Sequence, residues 1–318
     1  MNLYRFAITW VVLQIVKRLL EGDRRSLARA ISVVDNNEAD SQEIIREIFP
    51  LTGNSRSIGF TGPAGAGKSS LIGTLVNSFQ TMGYRTAILA VDPTSPITGG
   101  AILGDRVRMQ ATMDNSDVFM RSLASRGAQG GVSDSLRNVM RILDVAGFNL
   151  ILVESVGAGQ LEVEISRVVD MTIVVLTPQT GDNIQSIKAG LNEIGEIYVI
   201  NKGDLEGSGN LFNSILEFVG HTDKKPSVLK VSARTGDGVK DLALHIDEKL
   251  ISNKESITEK RKSMLKNELQ EMIFRAVEQR AKSFLKGSME YDNYVSMVIE
   301  KKIDPFQAAQ HISAAIVR

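Results

Sequence analysis

An apolar run at residues 57–61 (SIGFT) leads into GPAGAGKS at residues 62–69, and a helical pattern follows over residues 69–80. A strand that feeds a helix through so many glycines has few homes, and the commonest is the first unit of a parallel α/β sheet. Glycines at 62, 65 and 67 let the backbone turn with its N–H groups pointing inward, so that these groups and the helix N-terminus face an anion. The spacing, Gly62, four residues, then Gly67, Lys68 and Ser69, is that of a phosphate-binding loop, and the flanking strand and helix are the context it requires. Lys68 is expected between the β- and γ-phosphates and the Ser69 hydroxyl on magnesium. Gly62, Gly65, Ala66, Gly67, Lys68, Ser69 and Ser70 are the candidate nucleotide-binding residues of this segment.

A phosphate loop alone does not choose the base. Residues 197–200 (IYVI) read as a short buried strand that runs into Asn201-Lys202-Gly203-Asp204. A carboxylate there can accept from N1–H and the 2-amino group of guanine, a pair of donors adenine lacks, and a site built to satisfy donors discriminates by leaving groups unpaired for the wrong base. Ser232-Ala233-Arg234 follows a further strand and matches a loop whose backbone meets the guanine carbonyl. Taken alone, NKGD is also an ordinary turn composition. In order after the phosphate loop and before SAR, it makes GTP the expected nucleotide.

Between these motifs lie the residues expected to sense the γ-phosphate. Residues 149–153 (NLILV) form an apolar strand ending at Glu154, followed by SVGAGQ. Ligands of a doubly wound sheet lie at the carboxyl ends of its strands, which puts Glu154 near the metal and its waters. The Gly157 N–H can report the γ-phosphate. Ras-like enzymes carry Asp-x-x-Gly at this place, and Glu-Ser-Val-Gly departs from it. The preceding strand, residues 86–91 (TAILAV), ends at Asp92 and opens the segment DPTSPITGGAILGDRVRM, residues 92–109, in which Asp105 is a second carboxylate within reach of a magnesium shell. Asp92 at a strand end is equally an ordinary cap or turn residue. No glutamine directly follows Gly157; Gln160, three residues on, is a loop residue that could serve to orient water.

The set GPAGAGKS, DPTSPITGGAILGDRVRM, RSLASRGAQGGVS, ILVESVGAGQLE, TPQTGDNIQSIKAG, NKGD and SAR resembles the methylmalonyl-CoA mutase-associated GTPases, also labelled MeaB or ArgK, within the P-loop metallochaperone-type GTPases. The resemblance covers nearly the whole chain, from GDRRSLARAIS at residues 22–32 to DPFQAAQHI at residues 304–312. It implies a G-protein chaperone that binds an adenosylcobalamin-dependent mutase, gates loading of the cofactor and protects the enzyme. It also implies that Lys68, Ser69, Asp92, Asp105 and Glu154 surround phosphate and metal, and that Asn201, Lys202 and Asp204 hold the base, with Ser232, Ala233 and Arg234 as the candidate loop beside it. Residues 178–190 resemble the family's third mobile loop, with Asp182 and Lys188 as its charged positions. Arg106, Arg108 and Lys188 are candidates for positive groups brought to the phosphates when the client docks, so intrinsic turnover is expected to be slow and partner-stimulated.

Composition bounds the alternatives. The 318 residues carry 37 basic and 37 acidic side chains, no cysteine and three histidines. A general nucleic-acid surface is not expected from a formal net charge of zero, and the missing Cys/His cluster counts against a nickel-delivering relative. A kinase of an amino-acid transport system, which the ArgK label suggests, is a further alternative, though there is no H-R-D-type loop. The apolar stretch at residues 6–16 is too short for a bilayer and reads as a buried helix. Bacterial cytoplasm is the expected location, with the mitochondrial matrix second. The domain organisation expected is an N-terminal helical segment at 1–50, a P-loop GTPase domain with a largely parallel sheet at 51–252, and a C-terminal helical region at 253–318. Apolar residues recur at helical spacing from 257 to 285, and the resemblance implies that this arm forms a homodimer.

Overall fold

The computed structural model describes residues 2–92, 117–124, 131–155, 160–179, 194–220 and 226–317. The expected site residues Asp105, Arg106, Arg108, Gly157, Asp182 and Lys188 lie outside them. Two compact units are present, Met1–Thr258 and Glu259–Arg318.

The first unit opens with helices α1 (Asn2–Leu20), α2 (Arg24–Asp35) and α3 (Ser41–Ile48), then a short 3-10 turn at Phe49–Leu51 that carries Pro50. Strands β1 (Arg56–Thr61), β2 (Thr86–Asp92), β3 (Val118–Ala124), β4 (Leu150–Ser155), β5 (Met171–Leu176), β6 (Ile197–Ile200) and β7 (Ser227–Lys230) follow. Between them run α4 (Lys68–Thr81), α5 (Gly131–Val145), α6 (Gln160–Ser166), α7 (Ser208–Gly220) and α8 (Val239–Ser252). Among the described residues the strands make one seven-stranded sheet in the order β3-β2-β4-β1-β5-β6-β7, with every pairing parallel. The fold is α/β with the largely parallel central sheet expected, parallel in every pairing among the described residues.

Near-continuous apolar strands are the reason. β2 (TAILAVD), β5 (MTIVVL) and β6 (IYVI) are buried at every position, as strands covered on both faces must be. Ile58, Phe60, Leu150, Leu152, Ile173 and Val199 face α4 and α8 on one side. On the other, Leu89, Val91, Ile151 and Val153 share a core with α1, α2, α3, α5 and α6, while Val174, Leu176, Tyr198 and Ile200 pack against α7. The N-terminal helices are thus built into the same hydrophobic core as the sheet. α1 is amphipathic rather than wholly buried over its second half: Val12, Val16 and Leu19 are inside, and Val11, Leu13 and Leu20 are exposed.

The entry to β1 is fixed from a distance in sequence. Asp144, at the end of α5, accepts N–H groups from Gly53 at 2.5 Å, Asn54 at 3.3 Å and Ser55 at 2.8 Å. Asp170, just before β5, accepts both the N–H and the hydroxyl of Ser57, at 2.8 and 3.0 Å. Two buried carboxylates therefore set where the strand that leads into the phosphate loop begins.

The second unit holds most of α9 (Lys254–Leu285), with α10 (Met289–Ile299) and α11 (Pro305–Val317). Ser288 caps α10 by accepting the Tyr291 N–H at 3.2 Å, and Tyr294 stacks on His311 of α11 with ring centroids 5.7 Å apart. Among the described residues no helix is long and apolar enough to cross a membrane.

Candidate nucleotide-binding site

The loop between β1 and α4 is shaped by what lies behind it. Gly62 has φ +135, and a Cβ there would sit 2.1 Å from the Val175 carbonyl oxygen on β5, so no side chain fits. Gly67 has φ +83, and a Cβ would come within 2.6 Å of the Asn201 Nδ2. Both glycines are required by close approach as well as by a left-handed backbone. Lys68 opens α4 with only 5% of its surface exposed. Its ammonium curls back over the loop, donating to the Gly62 carbonyl at 2.6 Å and the Pro63 carbonyl at 3.1 Å. These are neutral acceptors for a buried cation, which a phosphate oxygen would outcompete.

One residue further on, the Ser69 hydroxyl donates to Glu154 Oε1 at 2.6 Å. Glu154 lies in β4, 3% exposed, and Asp92 ends the adjacent strand β2, 4% exposed. The β2–β4 register pairs Ala90 with Glu154, so Asp92 is two residues beyond and of the same parity. Side chains of equal parity share a face of the sheet. Buried carboxylates and a hydroxyl are hard oxygen donors, of the kind magnesium takes while keeping waters and phosphate oxygens as its remaining ligands. Among the described residues no group of three or more His, Cys, Asp or Glu side chains forms a self-sufficient metal cage. Ser69, Glu154 and Asp92 could therefore hold a hard cation that draws further ligands from a nucleotide.

The base side is a cavity of about 480 Å3 lined by Gly67, Ser70, Asn201, Lys202, Asp204 and Arg234, with Gln179, Leu205, Ser232 and Ala233 completing it. Asn201 joins its parts. Its amide donates to the Ala66 carbonyl at 2.9 Å and the Gly67 carbonyl at 3.3 Å, and its Oδ1 accepts the Ala233 N–H at 3.1 Å. Phosphate loop, NKGD turn and SAR turn thus meet at one side chain, 2% exposed. Asp204 accepts the Ser232 hydroxyl at 2.5 Å and the Arg234 guanidinium at 2.7 Å. The Ser232 hydrogen bond, and to a lesser degree the Arg234 charge, hold its carboxyl below the usual carboxylate value. It stays an acceptor at neutral pH, with lone pairs left for a ligand.

The structure brings together Gly62, Ala66, Gly67, Lys68, Ser69, Glu154 and Asn201 around the loop, and Ser70, Lys202, Asp204, Ser232, Ala233 and Arg234 around the cavity. Gly65, with φ +76, faces open space. Sequence reasoning overlooked Gln179 and Leu205 as cavity residues. Gln179 stands at the start of the segment resembling the family's third mobile loop and belongs to none of the phosphate-loop, NKGD and SAR motifs; β5 and β6 are adjacent, so the residues just past β5 stand beside NKGD.

A parallel sheet that ties its phosphate loop to an Asp-bearing base pocket through one asparagine defines a P-loop GTPase, and the chain is a GTP hydrolase. The profile of the family described as Methylmalonyl Co-A mutase-associated GTPase MeaB matches residues 27–286, and the chain belongs to that family. It is 40% identical over 313 residues to a protein of Pyrococcus horikoshii assigned as a GTPase, covering 96% of this chain and 98% of that one. It is 35% identical over 239 residues to the GTPase ArgK of Escherichia coli, covering 71% and 72%. Among solved structures it is similar to one described as an LAO/AO transport system kinase, with a TM-score of 0.72, 25% identity and coverage of 96% and 98%.

Proposed function

We propose that the chain is a guanine-nucleotide-gated chaperone of an adenosylcobalamin-dependent mutase, with methylmalonyl-CoA mutase, the enzyme in its family's description, as the client. The observation that carries the nucleotide half is Asp204, an ionised, anchored acceptor on the wall of a cavity that shares Asn201 with the phosphate loop. Guanine offers that carboxylate two adjacent donors. Lys68 exchanges its two carbonyl partners for β- and γ-phosphate oxygens, and the loop N–H groups cradle the rest.

Ser69, Asp92 and Glu154 are the metal-holding residues in this reading. Magnesium, when bound, supplies charge neutralisation on the phosphates. Glu154 keeps the Ser69 hydroxyl turned toward the site before nucleotide arrives. Asp105, Arg108, Gly157 and Lys188 complete the proposed phosphate-sensing set by resemblance. Because positive groups near the phosphates are worth on the order of 10³–10⁵ in rate, their arrival with a client accounts for slow intrinsic turnover and its stimulation. Gating of adenosylcobalamin loading, protection of the mutase, a homodimer and a bacterial cytoplasmic or mitochondrial matrix location belong to the same proposal.

The test is GTP turnover by the purified chain with and without stoichiometric methylmalonyl-CoA mutase, using Lys68→Ala as the blank. Stimulation by the mutase that disappears in the variant is the expected result; turnover indifferent to the mutase would keep the GTPase and remove this client. A second reading follows from the similar solved structure, which bears the name of a transport-system kinase. Transfer of label from γ-labelled GTP to a binding protein of a transport system would favour it, and release as free phosphate is the outcome expected here.

A further inference from the structure

Lys202 has φ +55, a backbone region that non-glycine residues enter only when their surroundings hold them there. The Asn201 N–H donates to the Leu176 carbonyl and the Gly203 N–H to the Val231 carbonyl, each at 2.8 Å, so the turn is clamped on both sides of Lys202. From that fixed backbone the Lys202 ammonium donates to Gln179 Oε1 at 2.7 Å. Both residues line the 480 Å3 cavity. Gln179 is delivered there by the exit of β5, where Thr177 is 3% exposed and anchors the chain before it turns outward.

We propose that Gln179, which lies outside the phosphate loop, NKGD and SAR, is a positioning residue of the base site that fixes Lys202 so its alkyl stem already walls the cavity before nucleotide enters. The inference rests on the reading that this cavity takes the guanine of GTP or GDP. A lysine loses more rotamer freedom on being ordered than almost any other side chain. Ordering it in the empty protein removes that cost from the binding step, which is what preorganisation means for affinity. Glutamine suits this role because a neutral carboxamide oxygen holds the ammonium without cancelling its charge. Base choice stays with Asp204, on another part of the wall, so Gln179 acts on affinity and not on discrimination between bases.

Three variants and three ligands test this. Gln179→Met keeps the length of the side chain and removes the acceptor, and Gln179 is exposed, so a thermal midpoint equal to that of the parent serves as the folding control. Dissociation constants for GDP and for IDP, which lacks the 2-amino group, are measured by calorimetry on the full chain. Gln179→Met is expected to weaken both by the same factor, about three- to tenfold, the range a single exposed hydrogen bond commands. In a Lys202→Met background the same substitution is expected to do nothing further, because the partner it positions is gone. Parent-like affinity of Gln179→Met, an equal penalty in both backgrounds, or a changed GDP to IDP ratio would each overturn the proposal. Failure of the underlying guanine reading is distinct: the parent chain itself would then bind GDP no better than ADP.

Discussion

At the residue scale, the base pocket is controlled by the charge state of Asp204. Its carboxyl is held below the ordinary value of 3.8, first by the Ser232 hydroxyl and then by Arg234. A carboxyl depressed in the folded state favours that state above the unfolded pKa and loses the advantage as pH falls through the folded one. Guanine affinity should therefore be flat from pH 8 down to about 5 and should fall only as Asp204 takes up a proton, below the ordinary carboxylate range. The ratio of GDP to ADP affinity, from which the protonation of the phosphates cancels, checks this by calorimetry across that range, and a ratio that already collapses between pH 7 and 6 would assign the controlling group elsewhere. Arg234→Ala removes one of the two supports and should move the acid limb upward. The arrangement of Asp204 after an apolar strand was legible in the sequence, because NKGD and SAR carry their own turn chemistry. Gln179 was not, because only strand adjacency brings it to the pocket.

At the scale of elements, the phosphate loop depends on β1 starting in the right register. Asp144 sits at the C-terminal end of α5, about ninety residues later in the chain, and gathers the N–H groups of Gly53, Asn54 and Ser55. Asp144→Ala leaves three donors without that acceptor and should lower stability by about 1–3 kcal/mol, the usual magnitude for hydrogen bonds to a charged group. Urea unfolding followed by circular dichroism should show an earlier midpoint with an unchanged slope. An unchanged midpoint would mean that water replaces the carboxylate without loss. Nothing in the local sequence around Asp144 announces this role, since an Asp near a helix end reads as an ordinary surface residue. By contrast β2 and β6 were legible as strands from the short apolar runs at 86–91 and 197–200, and both are buried at every position.

At the scale of the whole molecule, α9 leaves a run of apolar side chains exposed. Ile257 is buried, whereas Leu265, Leu269, Met272, Ile273 and Val277 are each about half exposed. A run of that kind is the usual mark of a surface that meets a partner. Within the proposed function the partner is a second copy, and sedimentation should find a dimer at micromolar concentration that Leu269→Glu with Ile273→Glu converts to a monomer. A parent chain that sediments as a monomer throughout would remove this surface from the dimer proposal. The N-terminal helices follow the opposite logic. Their apolar residues are buried against the sheet, so α1 to α3 and the GTPase core stand as one unit with a shared interior.

The sequence by itself determined the phosphate loop, the base-reading turn, the alternation of strands and helices and the family. Each of these is written in local signals: glycine spacing, an apolar run of strand length, an Asp in a fixed turn. Only the tertiary structure decided that every strand is parallel in the order β3-β2-β4-β1-β5-β6-β7, that Glu154 receives the Ser69 hydroxyl, that Asn201 joins three loops, and that Gln179 stands against Lys202. Those facts depend on which strand ends become neighbours, and that choice is made by the packing of two sheet faces at once. Local propensity carries no record of it.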